Sequence, residues 1–421
     1  MYFWKRSYLI LLVLLTVVPV AGCTGSLPRG TSVYPSATPP ATTAPKDSVG
    51  GTTAIPTLSA TPGQEEQPEV HSTPLPSPVP KPSYGVQIHV PPGWDADQTL
   101  ERARGLGVGW VKEQVQWHTV EHGPGDFDWK TLDQVVAGAD RFGFKLLLGV
   151  THAPDWTRTV EAESGPPADY GEFQRFMEQM ARRYQGRVEA YELWNEPNLA
   201  REWRGDTLDA SRFVRLLAEG ATGVRIGDPE ALVISGAPAV TGINDEEVAV
   251  GDRQFVRGMV EGGVFDYVDA LGAHPYGYGN PPEESVEDGD HVASSHNNHP
   301  TFFFRDTLED YHQIMMEYGF DDREIWVTEF GWPTPEGIGE MDLTGWEYGR
   351  EVTEAQQAEY TVRAFHMGDE RPWVGPMFLW NLNLAVIWGP ENAFSAYSLL
   401  RPDGSFRPSY IALRLTQPLG P

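Results

Sequence analysis

Eight short apolar runs, each followed by a longer segment of helical character, are the strongest constraint on how this chain folds. The runs are Tyr84 to Val90, Trp110 to Val115, Lys145 to Val150, Ala190 to Trp194, Leu232 to Ser235, Tyr267 to Ala273, Glu324 to Thr328 and Pro376 to Trp380. Between them the pattern predicts helices over Ala96 to Leu106, Trp129 to Arg141, Gly171 to Tyr184, Leu208 to Gly227, Arg253 to Glu261, Phe304 to Tyr318 and Thr353 to Gly368. Strands that alternate with helices pack as parallel neighbours under a helical layer. Eight such units over about 250 or more residues predict an α/β fold, a (β/α)8 TIM barrel, with its chemistry on the loops at the C-terminal strand ends. A doubly wound open sheet competes with it. Against that sheet, no glycine-rich phosphate turn follows the first run, and tryptophans and acids crowd the strand ends.

The barrel is predicted to occupy residues 83–421, and what precedes it has a different chemistry. Lys5 and Arg6 lead into an apolar run from Tyr8 to Val20, and Val20-Ala21-Gly22-Cys23 closes it with small residues before the only cysteine. This order predicts an export signal over residues 1–22. Its last four residues resemble the lipobox of bacterial lipoproteins, which implies acylation of Cys23 and anchoring to a membrane at the cell surface or in the periplasm. An ordinary signal peptide with a free Cys23 and an uncleaved anchor are the alternatives. Thr24 to Pro82 holds 10 Thr, 7 Ser and 13 Pro with few large apolar side chains. Such a segment cannot bury enough surface to offset chain entropy, so residues 23–82 are predicted to form a disordered, semi-extended tether.

One cysteine rules out an internal disulfide framework. A formal net charge of -28 argues against nucleic acid as a partner, because polyanion binding needs a basic surface. A neutral ligand is the easier partner, and a monomer is the default state.

Two strand ends carry the chemistry. The fourth run finishes Tyr191-Glu192-Leu193-Trp194-Asn195-Glu196-Pro197-Asn198, and the seventh finishes Trp326-Val327-Thr328-Glu329-Phe330-Gly331-Trp332. Alternation along a strand predicts Glu192, Trp194 and Glu196 on one face, and Val327 and Glu329 on one face. If both faces point inward, Glu196 and Glu329 meet across the barrel mouth. Two carboxylates in one pocket cannot both ionise at low cost, so a proton is expected to stay on one of them. Such a pair, a neutral acid and an anion, is what glycoside cleavage requires.

These two words, Trp194-Asn195-Glu196-Pro197-Asn198 and Trp326-Val327-Thr328-Glu329-Phe330-Gly331, resemble clan A of the glycoside hydrolases. The resemblance covers essentially the whole predicted barrel and leans toward families 39 and 5. It implies that Glu196 is the acid/base and Glu329 the nucleophile of a retaining double displacement on a poly- or oligosaccharide, and that no metal or organic cofactor is needed. It further implies that Asn195 bonds the sugar 2-hydroxyl, that His274 and Tyr276 line the adjoining subsite with the tyrosine hydroxyl on Glu329, and that Trp380 is a platform under the sugar ring. Where clan members commonly carry an arginine near the nucleophile, this chain has Lys112, which keeps the charge and loses the two-pronged geometry. Gln87, His89, Trp117, His152, Trp156 and Trp203 stand near predicted strand ends as further substrate-binding candidates. The stretch from Pro281 to Pro300, rich in acids, His and Asn, is expected as a solvated loop edging the cleft. Two other functions share most of these residues. A barrel whose chemistry is dead would still bind polysaccharide through its aromatic groups, and a transglycosylase would use the same glutamates.

Overall fold

The computed structural model describes residues 80–162 and 164–418. The predicted export signal, Cys23 and nearly all of the predicted tether lie outside the described residues. Eight parallel strands form a closed barrel: β1 (Lys81–Ile88), β2 (Val108–Gln116), β3 (Lys145–Thr151), β4 (Ala190–Leu193), β5 (Leu232–Ser235), β6 (Ala270–Ala273), β7 (Glu324–Phe330) and β8 (Val374–Leu379). Each strand pairs with its sequence neighbours and β8 closes on β1, as the alternation of runs and helices predicts. The major helices are α1 (Ala96–Arg104), α2 (Lys130–Phe142), α3 (Tyr170–Arg183), α4 (Ala210–Gly227), α5 (Asp252–Glu261), α6 (Phe304–Glu317), α7 (Glu354–Asp369) and, after the barrel closes, α8 (Pro408–Leu415). The first strand starts at Lys81, so two residues assigned to the tether belong to the barrel, and Lys81 Nζ donates to the Leu106 carbonyl at 2.8 Å.

Local chemistry sets the helix starts. Asp95, Asp169 and Asp209 accept from the first free N–H groups of α1, α3 and α4, and Thr353 with Gln356 forms a reciprocal cap on α7. Two separate apolar layers follow from strand alternation. Val86, Val111, Leu148, Leu193, Val233, Val327 and Leu379 face the helices. Trp110, Leu147, Ala190, Ile234, Ala270, Trp326 and Phe378 fill the barrel interior, with Trp110 meeting Trp326 edge-on at 5.2 Å. This plug closes the lower barrel and leaves the polar groups above it to build the mouth.

The stretch from Pro281 to Pro300 is more structured than a solvated loop. Ser294 and Ser295 donate to Glu351, and Asn280 fixes the backbone of His296 and Phe302. His296 stacks on Tyr278 at 5.1 Å. Unsatisfied backbone and rings found partners in neighbouring loops, a long-range outcome that composition does not encode.

Candidate active site

Directly above the interior plug lies a buried charge pair. Lys112 on β2 is 0% exposed and Glu192 on β4 is 1% exposed, with Lys112 Nζ 2.8 Å from Glu192 Oε2 and 3.3 Å from Glu329 Oε1. Lys112 also donates to the Thr328 carbonyl at 3.1 Å. Burial lowers its proton affinity, but the Glu192 and Glu329 carboxylates outweigh burial and raise it above the ordinary lysine range. Gly149 on β3 makes the room. A Cβ there would sit 3.2 Å from Glu192 Oε2 and 3.3 Å from Lys112 Cε.

The two glutamates reach the mouth by breaking strand alternation, which corrects both sequence expectations about shared faces. On β7, Val327 packs in the outer layer while Glu329 points into the site. Between the pairs Met377–Val327 and Leu379–Phe330, β7 uses three steps against two on β8, a bulge that re-aims Glu329. At the end of β4, Glu192 faces inward but Trp194, at φ 79°, turns into the helix layer against Phe173 and Trp203. Glu196 follows at φ 44°, a left-handed conformation that is strained for a residue with a Cβ and is typical of functional sites.

His274, at the end of β6, joins them. Its Nδ1 lies 3.5 Å from Glu196 Oε1 and 4.0 Å from Glu329 Oε2. The two carboxylate oxygens are therefore no further apart than the sum of these distances, which keeps them below the roughly 9.5 Å upper end for catalytic carboxyl pairs. The Tyr276 hydroxyl donates to Glu329 Oε2 at 3.0 Å. Burial and the Glu329 charge push this phenol far above its usual range, so it stays a donor.

A residue the motif reading missed controls the other glutamate. Arg201, five residues on in the same loop, places Nη2 2.9 Å from Glu196 Oε2 and Nε 3.5 Å from Glu202 Oε1. Burial pushes the Glu196 carboxyl up, but the hydrogen bond from His274 and the Arg201 charge more than offset it, leaving Glu196 below the usual range. Burial raises Glu202 to about 7. Glu196 is thus not the member of the pair on which repulsion retains a proton. Lys112 compensates Glu329, and Arg201 with His274 compensates Glu196.

Trp380 stands half-buried beyond the end of β8, held edge-on by Tyr397 at 5.0 Å, Phe394 at 5.2 Å and Tyr276 at 6.3 Å. These contacts fix its orientation next to the Tyr276 that touches Glu329. Trp388 and His89 lie near this group, their rings 6.4 Å apart, and burial together with Lys112 lowers His89 to about 3, keeping it neutral. Asn195 is half-buried with Oδ1 unpartnered. Gln87 is fully buried beside Lys112 in register, its amide without a hydrogen-bond partner. At the end of β3, His152 adopts φ 57°, and burial with His118 and Arg158 nearby lowers it to about 3. Trp156 is half-buried, edge-on to Trp117 at 6.4 Å and under the Arg175 guanidinium.

Trp203 and Trp117 are corrections. Trp203 is 1% exposed, wedged between Trp194 and Phe213, and its Nε1 donates to the Thr207 carbonyl. Trp117 is stacked on Phe176 with its Nε1 on Glu121. Neither ring has a free face for a sugar. Both follow strand ends in sequence, and only the direction of the side chain, set by packing, separates them from Trp380. Glu192 was likewise beyond motif reading. Its role depends on the β2–β3–β4 register that brings Lys112 to it. Among the described residues, no group of three or more His, Cys, Asp or Glu side chains is placed to hold a metal ion.

Comparison with known proteins agrees with this architecture. Among solved structures, the fold is similar to a family 39 glycoside hydrolase from the gut symbiont Bacteroides cellulosilyticus WH2, at 21% identity and a TM-score of 0.59, covering 79% of this chain and 63% of that one. It is also similar to a family 5 subfamily 18 enzyme from Streptomyces cattleya solved with GlcNAc, at 14% identity and a TM-score of 0.56, covering 80% of this chain and 79% of that one. Cel5A of Thermotoga maritima, solved with mannotriose, matches at 16% identity and a TM-score of 0.50, covering 80% of this chain and 97% of that one. At these identities the likeness speaks for the fold. A search of the curated proteins finds no match. The cellulase model, glycosyl hydrolase family 5, matches residues 84–365, well over half of the chain and both glutamate-bearing strand ends. The chain therefore belongs to the cellulase family, glycosyl hydrolase family 5, and is a glycoside hydrolase of clan A.

Proposed function

We propose that the chain is a retaining O-glycoside hydrolase that cleaves a poly- or oligosaccharide by double displacement, with Glu329 as nucleophile and Glu196 as acid/base. The observation that carries this reading is the meeting of both carboxylates at one His274 nitrogen, with Tyr276 and Lys112 both on Glu329.

Glu329 attacks the anomeric carbon while Glu196, in the fraction of molecules in which it carries a proton, donates that proton to the departing oxygen. Tyr276 and Lys112 both bond to Glu329 and fix its aim. Once Glu329 is an ester its charge is gone, and Glu196, held ionised by His274 and Arg201, is in the form that takes a proton from water for the second displacement. Asn195 and His274 contact sugar hydroxyls, and Trp380 receives the ring face. His152 and Trp156, both half-buried, complete the rim, while Gln87 stays buried beside Lys112. No metal or organic cofactor enters any step.

The test is a polysaccharide panel incubated with parent, Glu196→Gln and Glu329→Gln, with anomeric configuration followed by NMR. Glu329→Gln should abolish turnover, and Glu196→Gln should lower it by roughly 10²- to 10⁴-fold. Release of product with inverted configuration, or equal turnover by all three proteins, refutes the reading.

We also propose that residues 1–22 are an export signal, that Cys23 is acylated, and that residues 24–82 tether the barrel to a membrane. The charged, apolar and small-residue order before Cys23 supports this. Cys23→Ser should move the protein from the membrane fraction to the soluble one.

A further inference from the structure

Glu192 has no part in the double displacement, yet it is the carboxylate nearest to Lys112. We propose that Glu192 is a positioning residue acting through Lys112, the standing counter-ion that keeps the buried ammonium compensated while the charge of Glu329 is consumed and returned. The inference rests on the assignment of Glu329 as nucleophile.

In the first half of one turnover, a Glu329 oxygen bonds to the anomeric carbon as the carbon–oxygen bond to the aglycone breaks, and the departing oxygen takes the Glu196 proton. Glu329 is then a neutral ester. Lys112, 0% exposed, would be left as an isolated cation in a dry site, one of the costliest arrangements a protein interior can hold. Glu192 Oε2 at 2.8 Å prevents it. In the second half, Glu196 takes a proton from water, the water oxygen bonds to the anomeric carbon, and the electron pair of the broken ester returns to Glu329.

Three features fit this role. Lys112 sits closer to Glu192, at 2.8 Å, than to Glu329, at 3.3 Å. The donors of Lys112 are divided among Glu192, Glu329 and the Thr328 carbonyl, so Glu329 shares its cation with a second carboxylate. Gly149 leaves the space that both side chains occupy, so the pair is built into the barrel wall. The opposite oxygen, Glu192 Oε1, faces His274 Nε2 at 4.0 Å, so the counter-ion also borders the histidine shared by both glutamates.

The experiment compares parent, Glu192→Gln, Glu192→Asp, Lys112→Met, Lys112→Met with Glu192→Gln, and Glu329→Gln in stopped flow. The probes are the 2,4-dinitrophenyl glycosides of glucose, mannose, galactose and xylose, in those cases the parent turns over. This leaving group departs without a proton, which isolates the step at Glu329. Glu192→Gln should slow the dinitrophenolate burst at least 100-fold with KM within threefold, while Glu192→Asp, which keeps the charge, should stay within tenfold of the parent. In the Lys112→Met background there is no cation to compensate, so adding Glu192→Gln should change the burst less than threefold. An unchanged burst in Glu192→Gln, an equal loss in Glu192→Asp, or the same factor in both backgrounds overturns the proposal. The last is what a merely structural residue would give. Loss of the burst in Glu329→Gln alone overturns the counter-ion role by itself, whereas a burst surviving in Glu329→Gln overturns the nucleophile assignment and the counter-ion role with it.

Discussion

Arg201→Gln tests how the site manages the proton on Glu196. The Arg201 side chain is 49% exposed, so its charge acts on Glu196 through a water-like dielectric. At 2.9 Å that interaction is about 1.4 kcal/mol, tenfold in proton affinity. The sign follows from the site's own balance. Burial favours the neutral carboxyl, and His274 with Arg201 favours the anion. Removing the arginine therefore raises the proton affinity of Glu196 and extends its acid form to higher pH.

The assay is kcat/KM against pH, which reports the free enzyme, on a polysaccharide that the parent cleaves. The alkaline limb should move up by about one pH unit, so kcat/KM on that limb rises about tenfold. High salt should move the parent's limb in the same direction by screening the pair. Arg204→Gln, at an exposed arginine in the same loop, is the control and should leave the limb in place. A limb that stays put in Arg201→Gln, or moves to lower pH, refutes the claim that Arg201 holds Glu196 ionised.

Three further outcomes follow from the packing. Trp380→Ala removes the half-exposed ring beside Tyr276 and should lower kcat/KM by about tenfold or more with little change in thermal midpoint, read by steady-state kinetics and calorimetry. Trp203→Ala should do the reverse, destabilising by about 3–5 kcal/mol in denaturant unfolding with KM unchanged, because the ring fills the layer between Trp194 and Phe213. Burial raises Glu113 to about 8, only partly offset by the Val90 N–H, so the folded chain holds a proton the unfolded chain loses above about 4.5. Its contribution is full below pH 4.5 and is lost as pH rises through 8. Glu113→Gln should accordingly leave stability at pH 4 near the parent's and add about 2–4 kcal/mol at pH 9. An equal gain at both pH values contradicts this.

The barrel was legible because its signals are local. Each strand shows as an apolar run and each crossover as a periodic segment long enough to span it, so all eight strands and seven helices fall where the runs predict them. The glutamates were legible as words, but their aim was not. Alternation fails at Trp194 and at Glu329, where a left-handed residue and a bulge redirect the chain, and both are consequences of pairing with distant strands. For the same reason Lys112 could be flagged as a charge in the place of an arginine while its partner Glu192 could not. Trp203 shows the converse limit: its position after the acid/base loop suggests a ligand contact, whereas ring packing turns it away.

The placement of cations gives an independent argument for which glutamate does what. Both carboxylates are paired with cations, but of opposite character. The partner of Glu329 is Lys112, sealed in the barrel wall and bonded to a second carboxylate and a carbonyl, so it cannot leave. The partner of Glu196 is Arg201, half in solvent on a loop, with Glu202 within reach as an alternative. A nucleophile must be anionic whenever substrate arrives, which a permanent cation ensures. An acid/base must alternate between protonated and ionised forms within each turnover, and that requires a cation able to let go. Exchanging the two roles would ask the buried lysine to release its partner and the exposed arginine to hold one without interruption, the reverse of what their surroundings allow.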